Sequence, residues 1–165
     1  MSKNPPLRAP SYGDVWIGQG GIVVDFVPPM NGQRGWFLIA PTGPEAEKVD
    51  IAWGLRGVQI AGADSDWDGA ANTRAMLDSG HNCPIAQWAS GLEIEGHKDF
   101  YIPSRREQRL LWARVPELFQ LRWYWSSTQH SADWAWGQYF LNGGQDDHCK
   151  SFEGRVRAVR RFLID

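Results

Sequence analysis

Phe-Tyr-Ile-Pro-Ser-Arg-Arg-Glu at Phe100–Glu107, followed farther on by Trp-Tyr-Trp-Ser-Ser-Thr at Trp123–Thr128, is the stretch on which the fold turns. Ser104 and Glu107 stand three residues apart immediately before an amphipathic run. Each can therefore take the other's backbone N–H as a hydrogen-bond donor, which starts a helix at Arg105. The spacing predicts a helix over 105–114 with Leu110 and Leu111 turned inward. Trp123–Ser127 alternates with a period of two, so Trp123 and Trp125 share one face of a strand and Tyr124 takes the other.

Working outward, Ile22–Val27 and Gly35–Ala40 are β-branched or aromatic runs separated by Pro28, Pro29, Asn31 and Gly32, which predicts a hairpin or a closely related strand pair. Ala70–Ser79, stopped by Gly80, and Pro84–Leu92, stopped near Glu93, predict two short helices. Ala135–Leu141 and Arg155–Leu163 predict further strands, with Asn142-Gly143-Gly144 as a turn between them. Arg155 and Arg157 fall on one face of the last strand and Val156 on the other. Residues 1–12 carry Pro5, Pro6 and Pro10 and few apolar residues, so they predict an extended arm. Residues 13–165 then form one domain, since 165 residues with 42% hydrophobic content supply one ordinary core.

Six segments, in order, resemble the Lcl C-terminal-like domain, a variant of the C-type lectin fold: Gly18–Phe26, Ile51–Gly54, Asp68–Thr73, Asp99–Glu107, Tyr124–Thr128 and Val156–Arg160. The resemblance implies an α+β, C-type-lectin-like architecture of short antiparallel strands, two to three helices and long loops. Many relatives of that kind carry a cysteine pair at positions matching Ala89 and Ala158, and both are missing together here. Cys83 and Cys149 are accordingly expected as thiols that are not bonded to each other.

A formal charge of −2 with scattered basic residues does not mark a nucleic-acid binder. Arg105, Arg106 and Arg109, and the group Arg155, Arg157, Arg160 and Arg161, are expected on solvated or ion-paired faces. His81, His97, His130 and His148 are dispersed and no Cys-x-x-Cys occurs, so a zinc site is not expected. His148 beside Cys149 does not make a nucleophile pair if the two lie on a strand, where neighbours face opposite sides, and no enzyme activity is expected. Asp64, Asp66, Asp68 and Gly69 spell the first half of an EF-hand calcium loop, but Ala75 stands where the closing Glu is needed. Asp68 is instead expected to cap the following helix, and calcium remains a weak candidate cofactor. The Glu-Pro-Asn, Gln-Pro-Asp and Trp-Asn-Asp tripeptides that bind calcium and sugar in C-type lectins are missing.

Met1–Pro6 contains no apolar run of the kind a secretory signal needs, and no segment is long enough to span a bilayer. Synthesis in the cytoplasm without membrane insertion is expected. Together with the resemblance, this points to a phage tail, baseplate or tail-fibre component, located in the virion, homo-oligomeric, contacting other tail subunits and a host-surface glycan or protein. The alternatives are a purely structural virion subunit and a cytosolic bacterial carbohydrate- or protein-binding module. Most of the ten tryptophans are expected in the core. The expected ligand face comprises two loops, 129–133 and 142–151, with Gln129, His130, Asp133, Asn142, Gln145, Asp146, Asp147 and His148, plus Trp134 or Trp136 as surface anchors.

Overall fold

Two curled sheets and three helices make an α+β fold, described by a computed structural model over residues 8–164. The first seven residues of the expected arm lie outside the described residues. Strands β1 (Val15–Trp16), β2 (Gly21–Val27), β3 (Trp36–Ala40) and β9 (Arg160–Leu163) form an antiparallel sheet in the order β1-β2-β3-β9. The second sheet contains β4 (Glu47–Ala52), β5 (Trp123–Gln129), β6 (Trp134–Tyr139), β7 (Gln145–Cys149) and β8 (Glu153–Arg157), ordered β4-β8-β5-β6-β7. Its β5–β8 pairing is parallel and the others are antiparallel. Helices α1 (Gly69–Asp78), α2 (Pro84–Ser90) and α3 (Arg105–Arg114) pack on this frame.

The expected single strand over 155–163 is two strands in two sheets. β8 ends at Arg157, Ala158 donates to the Ala46 carbonyl, and Val159 exchanges both backbone hydrogen bonds with Tyr101 at 2.8 and 3.0 Å. The chain thus changes partners from β4 and β5 to β3 without leaving an extended course. Residues 156–160 are all buried, with Val156 and Ala158 in one core cluster and Val159 in the other, and all four arginines of this segment are tied down. Arg155 faces Glu47 at 3.5 Å, and Arg161 meets Asp68 at 3.1 Å. The buried Arg157 donates to the carbonyls of Pro41 and Gly43. Arg160, also buried, clasps Asp99 with two nitrogens at 2.9 and 3.2 Å.

β5 divides the core, as its alternation predicts. Trp125 joins Trp53, Met76, Ile85 and Val156 on one side, and Tyr124 joins Leu38, Leu111, Phe119 and Phe140 on the other. The two fully buried indoles are cross-tied: Trp53 donates to the Ser126 carbonyl and Trp125 to that of Ile51, both at 3.0 Å. Burying an indole requires such a partner for its N–H. Consecutive valines face opposite sides of β2, as a strand's period of two dictates, Val24 into the core with Leu111 and Val23 against Trp16 and Ile39; the pairing with β3 shifts register between Val23 and Asp25.

Helix α3 begins as the sequence indicates. Ser104 accepts from the Glu107 N–H, and the Glu107 carboxylate accepts from the Ser104 N–H at 3.2 Å each. Leu111 is fully buried and Leu110 partly so. Ser104 is itself buried, and its hydroxyl donates to the Trp67 carbonyl at 2.8 Å. Ser104→Ala therefore strands a cap donor and a carbonyl together, and should cost about 2 kcal/mol in a urea unfolding titration. A loss near zero would mean that water replaces both bonds.

Asp68 caps α1 by accepting from Ala71. The next residue must be glycine: a Cβ on Gly69 would lie 2.4 Å from the Ile102 carbonyl oxygen and 2.6 Å from Glu107. Cys83 and Cys149 are both free thiols, the first buried and the second partly exposed. Desolvation raises the Cys83 pKa, while the Ser151 hydroxyl lowers that of Cys149.

Candidate functional site

A strip of alternating charged and aromatic side chains crosses from the α3 N-terminus to the β6–β7 hairpin. Arg105, the first residue of α3, reaches over Trp136 of β6, its guanidinium carbon 3.8 Å from the ring centroid. The same side chain donates to Gln145 at 3.1 Å and faces Asp66 at 3.6 Å, while the Gln145 amide returns a bond to the Arg105 carbonyl at 2.8 Å. His130 lies against Trp136 with ring centroids 4.8 Å apart, and its Nδ1 meets Asp147 Oδ2 at 2.6 Å. Strand register produces this juxtaposition, because Trp136 and Asp147 are direct partners in the β6–β7 ladder. Trp134, two residues before Trp136, shares its face and remains exposed.

The strip can hold a ligand by stacking, by charge and by directed hydrogen bonds. Its aromatic plane is fixed between a cation and an imidazole, the imidazole is oriented by a carboxylate, and the cation is locked by an amide. These groups stand on a helix terminus and two paired strands, so little conformational freedom is left to lose on binding.

Several expected ligand residues are placed differently. Gln129 is not on an exposed loop: it ends β5 and is buried. Its amide accepts from Ile60 N–H and Lys150 and donates to Asp64 and the Ile60 carbonyl. The expected loop 142–151 contains β7, which pairs along β6. His148 therefore points to the opposite side of the sheet from Asp147, stacked on Phe152 at 3.8 Å and near Trp123. Asp146 shares that opposite side and accepts from the Asp147 N–H.

Nor do the two loops gather at one end. The 130–133 turn lies beside Lys150, which donates its N–H to the Asp133 carbonyl, whereas Asn142 caps the far turn by accepting from Gly144. That far turn, with Gly143 at φ 78°, packs against Trp112 of α3. Asp133 itself faces Arg56 at 3.9 Å, both side chains well exposed. The groups that do come together form a band across the sheet, and it includes Arg105, which was expected on a solvated or ion-paired face and does face Asp66.

The candidate calcium carboxylates go three ways. Asp64 accepts from Gln129, Asp66 faces Arg105, and Asp68 caps α1 and meets Arg161. Among the described residues no group of three or more His, Cys, Asp or Glu converges on one point, and no helix is long and apolar enough to cross a membrane.

Trp67 and Lys150 carry structural roles that sequence reading missed. Lys150 is fully buried, donating to the Val58 carbonyl at 2.7 Å and to Gln129 at 2.9 Å, with Trp53 below it. Nothing local announces a buried lysine, because its partners come from residues far away in the chain. Compared with models of known protein families and with curated proteins, the chain matches none.

Proposed function

We propose that this chain is a recognition module of a phage tail, baseplate or tail fibre, built on a C-type-lectin-like frame of the Lcl C-terminal-like kind, and that it meets the host surface with the Arg105–Trp136–His130–Asp147 strip. The observation that carries this reading is the strip's construction: exposed or partly exposed groups of mixed chemistry, each held in place by a neighbouring side chain. Rigid scaffolds presenting such sets are the usual form of a binding face. The last described residues of the arm lie apart from it. Tyr12 sits under Arg114 at the far end of α3, a helix roughly 15 Å long.

His130→Ala, Trp134→Ala and Asp147→Asn, combined, should leave the urea midpoint nearly unchanged, because exposed positions contribute little stability. Particles carrying the triple variant should assemble and fail to adsorb to the bacterium they infect, since binding energy concentrates in a few central residues. Normal adsorption by assembled variant particles would favour a purely structural subunit. That second reading has its own support in Val15 and Ile17, 59% and 91% exposed beside the arm, which offer apolar contact to a neighbour.

A further inference from the structure

The strip continues past Arg105 into a groove of about 360 Å³ between the loop at Asp66 and Trp67 and the outer face of α3, where Arg106, Arg109 and Leu110 complete the wall. We infer that this groove binds an acidic saccharide unit, its anionic group taken by Arg106 and Arg109 and its sugar face laid on Trp67. The inference rests on the recognition reading above and names the ligand class for that surface.

Charge is the first argument. Arg105, Arg106 and Arg109 are spaced so that all three lie on one side of the helix. Arg105 is occupied by Asp66, Gln145 and Trp136. Arg106 and Arg109 have no carboxylate partner among the described residues, which distinguishes them from the four arginines at the C-terminal strands, all of them engaged. Two unneutralised guanidinium forks side by side are suited to a carboxylate or phosphate, which they can grip with paired N–H donors.

The second argument is Trp67. It keeps 42% of its surface exposed, and Arg106 sits 5.1 Å from its ring centroid. Nothing in its position is loose. Its backbone N–H donates to the Ser65 hydroxyl, its carbonyl accepts from the Ser104 hydroxyl, and the Arg106 backbone N–H donates to the neighbouring Asp66 carbonyl at 2.9 Å. The helix start thus fixes both walls of the groove, holding an indole plane beside cations that no carboxylate among the described residues neutralises. An indole wall, 42% exposed, with a guanidinium over part of its ring fits a ligand ring that has an apolar face and a charged substituent. The volume falls in the range of small-ligand sites and admits one or two sugar rings.

The test uses the purified full chain and isothermal titration at low ionic strength. Tri-galacturonate is the probe, maltotriose the neutral control, inorganic phosphate the ion-only control and polyglutamate the acidic-peptide control. Tri-galacturonate should bind and maltotriose should not. The pair Arg106→Gln and Arg109→Gln should weaken binding about tenfold or more, and Trp67→Ala should do so to a similar degree. Lys98→Gln, which removes an exposed cation that faces Glu93 outside both the groove and the strip, should leave it unchanged.

Four results would overturn the inference: no binding of tri-galacturonate, unchanged binding in the arginine variant, indifference to Trp67→Ala, or polyglutamate or phosphate binding as tightly as the saccharide. The last would mean an acidic-protein contact or a bare anion site. Circular dichroism and the urea midpoint of each variant separate loss of binding from loss of fold. Because no particle is involved, saccharide binding without an adsorption defect would sink the reading of the strip as the host-adsorption face alone, and an adsorption defect without saccharide binding would sink this inference alone.

Discussion

Glu107→Ala is expected to destabilise the protein by about 3–5 kcal/mol, the range for breaking a buried polar network by removing its centre. Glu107 is fully buried. One carboxylate oxygen accepts from the backbone N–H of Gly69 at 3.0 Å and of Ser104 at 3.2 Å, and the other from the Tyr101 hydroxyl at 2.5 Å and the Trp36 indole at 3.3 Å. One side chain therefore joins the starts of α1 and α3 to β3 and to the bridge residue Tyr101. Alanine would leave all four donors without their acceptor.

Glu107→Gln keeps the shape and one oxygen but turns an N–H₂ group toward the Trp36 donor, so it should cost less, about 1–3 kcal/mol. Burial raises the Glu107 pKa above 4.5, opposed by the Tyr101, Ser104 and Gly69 donors. The unfolded chain then loses this proton first, so the carboxyl's contribution declines as pH rises past 4.5, and the wild-type advantage over Glu107→Gln should shrink in the same direction. Urea midpoints across that range measure both. A midpoint for Glu107→Ala within about 1 kcal/mol of wild type would show that the network is not what holds these elements together.

Lys150→Ala is the second large effect expected, about 2–4 kcal/mol, because it empties a fully buried position and leaves the Val58 carbonyl and the Gln129 amide oxygen without their donor. It should also change how stability depends on pH. Desolvation lowers the lysine pKa from 10.5 to about 8. Above about 8 the folded protein has released a proton that the unfolded chain still holds, so stability from this group rises with pH until 10.5.

Between about pH 8 and about pH 9 the rise amounts to about 1 kcal/mol. The neutral amine still has N–H bonds for both acceptors, so deprotonation removes a buried charge without breaking the geometry. Higher pH obscures the effect: the buried hydroxyls of Tyr101 and Tyr124 have raised pKa values and withdraw stability as the unfolded chain ionises. Equal pH slopes in wild type and Lys150→Ala over this window would show that the ammonium group is not desolvated as the fold implies.

What the sequence determined by itself was local. The capping box, the exact span of α3, the Asp68 cap, the hairpin of β2 and β3 and the alternation along β5 each depend on residues a few positions apart, where hydrogen-bond reach and side-chain period leave few options. Tertiary structure decided the rest. The polar stretch of β7 carries no apolar alternation and β4 only the short one of Val49 and Ile51, and they are strands because β6 and β8 offer them unpaired edges.

The same dependence governs the site. Pairing of β6 with β7 turned Asp147 toward Trp136 and His148 away from it, and the arrival of Ile60, Asp64 and Lys150 buried Gln129. Arg105 became part of this strip only because α3 starts above β6. Glu107 shows both halves at once. Its bond to Ser104 was legible from a spacing of three residues, whereas its bonds to Trp36, Gly69 and Tyr101 exist because packing leaves a buried carboxylate no water and brings donors from three other segments to replace it.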